Sequence, residues 1–399
     1  MEIEEALKII EENIRPITEV SSVSLEEAGG FICGKDVTAR EPIPAFPKSA
    51  MDGYAVNSDE VSKADEDHPV SLKVIGTIYA GEYKEISFLP GSAIRVMTGS
   101  MIPDGYDAVV KQEQTDYGES IVTIYASVKK HENYCQVGEE LREGDLVIPA
   151  GTLLGRTQIG LLASLGKNTV TIRRPARVSI LSTGSELVFP GKARLPGQIY
   201  NSILFMLKSD LREMRFEIPF AINCPDEKES LQNDLENVLA ASDLVITTGG
   251  VSVGKKDLIP EILTKIGAET LFKRVNMQPG TPTTLSKLED KLILSLSGNP
   301  YAALANFDLY FGQIAAGLMG CDSFKNKSGE AILMDPYEKV NRARRLIRAY
   351  TMDGKVYLPV NVHSSSVFGN MEQCNCYVDL PEGKKAKPGD TVKIWKMRH

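Results

Sequence analysis

The 399-residue chain has few of the side chains that most often bind transition metals. Its four histidines, His68, His131, His363 and His399, stand far apart and form no ligand motif; all four read as solvated surface residues. The six cysteines, Cys33, Cys135, Cys224, Cys321, Cys374 and Cys376, are scattered. Only Cys374 and Cys376 are close, as C-N-C, and no C-x-x-C pair occurs. That spacing excludes zinc-ribbon and thioredoxin-type chemistry. No apolar run approaches the roughly 20 residues a membrane span needs. The start, Met1-Glu2-Ile3-Glu4-Glu5, is acidic and has no apolar secretory core, so the expectation is a soluble, cytoplasmic protein without a membrane partner. Positive charge is in the minority, with 45 basic against 53 acidic residues and a net charge of -8. This argues against a nucleic-acid-binding surface. It does not argue against small anions, which a local basic turn can hold.

An apolar content of 42% is enough for real cores, and the length suits two to four domains. The most informative stretch is Val245 to Asp257, V-I-T-T-G-G-V-S-V-G-K-K-D. A β-branched run ends in a turn carrying Gly249, Gly250 and Ser252, and helical spacing follows from Leu258 to Ile266. Such a turn at the carboxyl end of a strand offers backbone N–H groups to a phosphate or other oxyanion. An ordinary βα turn is the plain alternative. Ser252, Lys255, Lys256 and Asp257 in one turn favour the ligand site.

Two similar turns flank it. Val178 to Ser182 reads as a buried strand before Thr183-Gly184-Ser185-Glu186, and Leu292 to Leu296 as one before Ser297-Gly298-Asn299-Pro300. Helices are expected over 203–214, 230–239 and 301–318, with further strands over 216–221 and 271–275. Alternating strands and helices imply a mostly parallel sheet covered on both faces. Parallel strands put all three turns at one sheet edge, and Glu186 with Asp257 at the same rim. Two carboxylates beside a phosphate-binding turn suit a magnesium–phosphate site.

Elsewhere, Ile3, Leu7, Ile10 and Ile14 recur at helical spacing ahead of Pro16, and a second short helix is expected from Ser24 to Cys33. Glu41 to Val56, E-P-I-P-A-F-P-K-S-A-M-D-G-Y-A-V, is stiffened by three prolines and presents Ser49 and Asp52 in fixed positions, or is a domain-entry linker. Residues 57–135 alternate as a mostly β module, with Thr98 in a loop between strands. The acidic cluster Glu139, Glu140, Glu143 and Asp145 reads as a solvated face, and a short helix over 159–165 follows. From about Gly329 the pattern is β again and suggests a small barrel or sandwich. There the run Arg342, Arg344, Arg345, Arg348 is either a solvated face or the border of an anion site.

Together these stretches resemble the molybdopterin molybdenumtransferase family (MoeA-like, similar to the E domains of gephyrin and plant Cnx1), over essentially the whole chain. The motifs are P-x-P-x-F-x-x-S-x-M-D-G-Y-A-V at 42–56, T-G-x-x-x-P-x-G-x-D-A-V-V at 98–110 and S-T-G-S-E-L at 182–187. T-T-G-G-V-S-V-G-x-x-D at 247–257, M-x-P-G-x-P at 277–282 and G-N-P at 298–300 complete them. The resemblance implies a multidomain α/β plus β fold. It comprises an elongated helical N-terminal domain (1–26 with 137–173), an inserted β-rich domain (27–136), a doubly wound three-layer α/β domain (174–328) and a C-terminal β-barrel (329–399).

The resemblance also implies an activity: insertion of molybdate into adenylated molybdopterin, assisted by Mg2+, with release of AMP. It assigns catalysis to Asp52, Glu186 and Asp257, and metal binding to Glu186, Asp257, Glu140 and Asp226. Substrate contacts fall to Ser49, Thr98, Thr183, Gly249, Gly250, Ser252, Arg274, Gln278, Pro279, Thr281, Ser297, Asn299, Pro300 and Arg348. Asp52 and Thr98 would come from the partner subunit of a homodimer, and a molybdopterin-adenylating protein is the implied functional partner. Several positions depart from the common pattern: Glu140 for Asp, Arg274 for Lys, Gln278 and Thr281 for lysines, Ser297 for Pro, and Gly369-Asn370 where serines are usual. Arg348 would offset part of the lost positive charge. The alternatives are a non-catalytic pterin-binding scaffold, tungstate insertion, and adenylyl transfer to molybdopterin. Retention of Asp52, Glu186 and Asp257 disfavours the first, and the extra terminal modules disfavour the last.

Overall fold

The computed structural model describes residues 1–250, 258–359 and 368–398. The chain divides into two compact units. One comprises Met1–Lys35, Ala150–Gly160 and Asn168–His399, and the other Asp36–Pro149 and Leu161–Lys167.

In the first unit, helix α1 (Ile3–Asn13) buries Ile3, Ala6 and Ile10, as its spacing requires. The Glu2 N–H donates to the Glu5 carboxylate at 2.9 Å and closes its first turn. Strand β1 (Val20–Ser24) follows. The helix expected from Ser24 to Cys33 does not form. The capping signal is real, since the Ser24 hydroxyl donates to Glu27 at 3.1 Å. However, the Leu25 N–H is taken by the Asn168 carbonyl, and Gly29-Gly30 follows within one turn, where helix propensity is poorest.

The second unit is a five-stranded sheet of β2 (Gly53–Val56), β3 (Val70–Ile78), β4 (Ser92–Val96), β5 (Ala108–Lys111) and β6 (Ile121–Ile124), in the order β5-β2-β4-β3-β6. Alternation serves two cores. Tyr54, Val56 and Val110 pack on one face, and Ala55 and Val109 on the other.

Helix α2 (Arg156–Ser164) leads into β7 (Thr169–Arg173), which pairs antiparallel with β1. The α/β core then builds from β8 (Val178–Thr183), α3 (Ser202–Glu213), β9 (Ala221–Cys224), α4 (Lys228–Ala240) and β10 (Leu244–Thr248). It continues through α5 (Ile259–Lys265), β11 (Glu269–Lys273), β12 (Thr284–Leu288), β13 (Lys291–Leu296) and α6 (Pro300–Met319). The sheet order is β9-β8-β10-β13-β12-β11. Ile180, Ile246 and Leu294 pack with α3 and α6, while Leu181, Val245 and Ile293 pack with α4 and α5. Near-continuous apolar strands are what a sheet covered on both faces needs.

The sheet is mostly parallel, as expected, with one reversed strand, and two strand positions need correction. The sheet is parallel only through β9, β8, β10 and β13, because β12 runs antiparallel to both neighbours. A tight Glu289-Asp290 hairpin, with Glu289 at φ 54°, reverses the chain there. The strand expected over 216–221 lies instead at Ala221–Cys224. Pro219 has no N–H to give a ladder, and Arg215 just before sits at φ 61°. The strand expected over 271–275 runs Glu269–Lys273, because Arg274 (φ 64°) turns the chain away.

The C-terminal part is a closed five-stranded barrel of β14 (Ser328–Leu333), β15 (Arg344–Met352), β16 (Lys355–Tyr357), β17 (Cys376–Leu380) and β18 (Thr391–Lys396). The ring runs β15-β16-β14-β18-β17 and closes by β17 pairing with β15. Leu333, Ile347, Val356, Val378 and Ile394 fill it. The arginine run is not a solvated face. Arg342, just before β15, is exposed, whereas Arg345 and Arg348 lie on opposite faces of β15 and are both buried, Arg345 beside Gln278 and Arg348 against the Tyr301 ring.

Candidate functional site

Register places the three turns together. Ser182 of β8 pairs with Thr248 of β10, and Thr248 pairs with Leu296 of β13. The turns at Thr183-Gly184, Gly249-Gly250 and Ser297-Gly298 therefore leave one edge of the parallel sheet, where a doubly wound fold binds its ligand. Beneath them, buried hydroxyls tie the strands laterally: Thr248 donates to Ser182 at 2.8 Å and Thr247 to Ser295 at 2.9 Å.

A cavity of about 140 Å³ opens at this edge. Thr183, Glu186, Asp226, Gly249, Gly250 and Gly298 are among its walls. Gly249 and Gly250 sit at φ 84° and 63°, where a side chain is strained. A Cβ on Gly250 would lie 2.9 Å from the Thr183 hydroxyl oxygen. That hydroxyl is buried and has no hydrogen-bond partner among the described residues. A polar group in this state is costly unless a ligand completes it. Glu186 is exposed at the rim, and Asp226 accepts from the Ser185 N–H at 3.2 Å. Two carboxylates and a hydroxyl form the hard-oxygen donor set that Mg2+ prefers, with water in its remaining positions. Among the described residues, no group of three or more His, Cys, Asp or Glu is placed to hold a metal ion. Ser252 and Asp257 lie outside the described residues.

Asn201 and Ser185 are site residues that the sequence reading passed over. Asn201 caps α3 by accepting from the Leu204 N–H at 3.0 Å, and it donates to Asn223 at 2.7 Å while lining the cavity. Its signal was an Asn-Ser pair immediately ahead of a helical apolar stripe.

A second cluster gathers around residues 274–281. Met277–Gln278 pairs with β15, setting Gln278 in register with Arg345, whose guanidinium lies 3.5 Å from the Gln278 side-chain amide oxygen Oε1. Pro279 is buried behind a cis peptide bond, and Arg274 is exposed. The Thr281 hydroxyl donates to the Met277 carbonyl at 2.6 Å and shapes the turn. Ser297 accepts from the Asn299 N–H at 3.3 Å, and Asn299 caps α6 with Pro300 at its first position. Arg348 is 1% exposed, and burial lowers the pKa of its guanidinium.

In the second unit, Asp52 accepts from both the N–H and the hydroxyl of Thr98, each at 2.7 Å. Those two bonds hold the Asp52 carboxyl below the ordinary range. The buried Ser49 hydroxyl donates to the Met51 carbonyl at 2.5 Å and fixes the turn that carries Asp52. Glu140 of this unit is exposed.

A larger cavity of about 540 Å³, with Glu213, Lys325 and Arg398 on its walls, contains none of the residues singled out from the sequence. No helix among the described residues is long and apolar enough to cross a membrane.

Comparison with known proteins fits this geometry. Residues 1–166 match the MoeA N-terminal region (domain I and II), residues 179–316 a "Probable molybdopterin binding domain", and residues 330–397 the MoeA C-terminal region (domain IV). The molybdopterin molybdenumtransferase of Staphylococcus epidermidis is 35% identical over 396 residues, covering 98% of this chain and 94% of the relative.

The chain belongs to the MoeA family.

The Staphylococcus aureus molybdopterin molybdenumtransferase is a further relative, 34% identical over 377 residues, or 94% of this chain and 90% of that protein. The crystal structure of the molybdopterin biosynthesis MoeA protein from Pyrococcus horikoshii superposes with a TM-score of 0.85 at 26% identity, over 99% of each chain. The MoeA architecture of an α/β core joined to β modules is thus the architecture of this chain.

Proposed function

We propose that this chain is a molybdopterin molybdenumtransferase, which inserts molybdate into adenylated molybdopterin and releases AMP. The observation that carries the reading is the cavity where three strand-to-helix turns meet. It combines an unpartnered Thr183 hydroxyl, the open Gly249-Gly250 turn and the carboxylates of Glu186 and Asp226, in a chain matched to the family from end to end.

In this reading Gly249, Gly250, Ser252 and Thr183 take the phosphate and pterin end of the substrate. Glu186 and Asp226, with Asp257 and Glu140, are the residues that would hold Mg2+. When bound, the ion would neutralise phosphate charge. Asp52 would orient the attacking water, and Thr98 keeps that carboxylate ionised and in place. Water attacks phosphorus and gives a proton to solvent, the bond between the pterin phosphate and AMP breaks, and AMP leaves; the two dithiolene sulfurs bond to molybdenum as one molybdate oxygen leaves with their protons as water. Arg274, Gln278, Pro279, Thr281, Ser297, Asn299, Pro300 and Arg348 border the place of the molybdate oxyanion. Ser49 supports Asp52 from below.

The same reading makes the protein a homodimer whose subunits exchange Asp52 and Thr98. It works in the cytoplasm beside a molybdopterin-adenylating protein. The domain division 1–26 with 137–173, 27–136, 174–328 and 329–399 belongs to it as well.

Asp257→Ala tests the assignment. It should abolish AMP release while leaving the unfolding midpoint unchanged. Full activity, or loss of the fold, would count against the role given to Asp257.

A further inference from the structure

Tyr301 is the second residue of α6, directly after Pro300, and is 2% exposed. Its hydroxyl donates to the Leu346 carbonyl at 2.7 Å and accepts from the Arg348 N–H at 3.1 Å. One phenol thus holds two backbone groups of β15. Its ring carries the Arg348 guanidinium 4.3 Å from the centroid. The ring also stacks on Tyr377 of β17, with centroids 6.5 Å apart and planes 22° apart. Tyr377 in turn donates to Asp308, about two turns further along the same face of α6, at 2.7 Å.

An arginine side chain has several rotatable bonds, and fixing them for an oxyanion has an entropic cost. Here an aromatic face, itself locked by a second ring and a carboxylate, meets that cost before the ligand arrives. The buried ring supplies cation–π attraction without offering a competing anion. Burial pushes the Tyr301 phenol up to about 12, so the phenol stays neutral.

Resting on the molybdenumtransferase reading, we propose that Tyr301 is a positioning residue for oxyanion binding, acting through Arg348, with Tyr377 and Asp308 as its support. The consequence is specific: Tyr301 sets the affinity for molybdate and leaves the adenylated pterin alone.

The test is molybdate-dependent AMP release by the full chain, with molybdate and adenylated molybdopterin varied separately, alongside unfolding midpoints. Tyr301→Leu should raise the half-saturating molybdate concentration about tenfold. It should leave the half-saturating pterin concentration and the maximal rate unchanged. Tyr301→Phe keeps the ring but loses the backbone clamp. It should lower the unfolding midpoint yet keep molybdate saturation within about twofold of the parent. A merely structural role would instead move stability and molybdate dependence together across both variants. In an Arg348→Met background, Tyr301→Leu should change molybdate saturation no further. Activity in the parent with unaltered molybdate dependence in Tyr301→Leu, or additive effects with Arg348→Met, would overturn the inference alone. No AMP release by the parent would remove the functional reading and this inference with it.

Discussion

Asp52 accepts two hydrogen bonds from one residue, the N–H and the hydroxyl of Thr98, each at 2.7 Å. The pair lies in a loop-borne part of the β-rich unit, and the two bonds fix the carboxylate to one partner residue. Both bonds favour the ionised form, the backbone one more strongly.

Thr98→Val removes the hydroxyl bond and keeps the backbone bond. Asp52 should then titrate higher, closer to an ordinary aspartate, as followed by carboxyl-carbon NMR. AMP release should fall about tenfold to a hundredfold, because the carboxylate gains freedom to rotate. An unchanged Asp52 titration would show that the hydroxyl contributes nothing.

Gly250→Ala places a methyl group at φ 63° and 2.9 Å from the Thr183 hydroxyl oxygen. The left-handed backbone should cost about 1–2 kcal/mol of stability in urea unfolding. Binding of adenylated molybdopterin should weaken by more than that loss alone explains, because the cavity is partly filled. Unaltered substrate affinity would argue that this turn does not cradle the phosphate.

Asp308 is buried in α6, and burial pushes its carboxyl up to about 7, against the opposing effect of the Tyr377 hydroxyl. Below about pH 4 both the folded and the unfolded chain hold the proton. Between pH 4 and 7 only the folded chain does, so stability is lost as pH rises, by about 4 kcal/mol in all. Asp308→Asn lacks this loss. Its thermal midpoint should match the parent near pH 4 and exceed it at pH 8. A constant difference across that range would contradict the account.

Glu4 shows the opposite sign. Hydrogen bonding to Arg344 lowers its carboxyl to about 2, and Arg344 also grips the buried Asp379 at 2.6 Å. This joins α1 to the barrel. The contribution is present above the unfolded value near 4.5 and fades as pH falls through 2. Because Glu4 is half exposed, Glu4→Gln should cost no more than about 1 kcal/mol at neutral pH. Little should remain of that cost at pH 2, read by denaturant unfolding.

Much of this was legible beforehand, for identifiable reasons. Buried parallel strands ending in glycine turns have a strong local signature, so Thr183, Gly249 and Ser297 could be placed at one edge before any coordinates. α1 and α6 were equally plain from their apolar spacing. Illegible features depended on distant partners. The Leu25 N–H could not be known to belong to Asn168, and so Ser24 looked like a helix cap. The reversed β12 hid behind a Glu289-Asp290 turn, which lacks the usual Asn-Gly signal. The arginine run left a solvated face and the border of an anion site both open, because the Gln278 register and the Tyr301 ring that hold Arg345 and Arg348 inside lie far along the chain. Asp226, which the family resemblance pairs with Glu186 at the metal site, carries no local signal in its acidic run, and the fold brings the two to one cavity.

The most direct test of the central claim is AMP release from adenylated molybdopterin by the purified chain in Mg2+, with and without molybdate, for the parent and Glu186→Gln. The account predicts release stimulated by molybdate in the parent, and a variant with weaker release and an altered Mg2+ dependence. No release by the parent, with nucleotide still bound, would contradict the transferase reading and favour a pterin-binding scaffold.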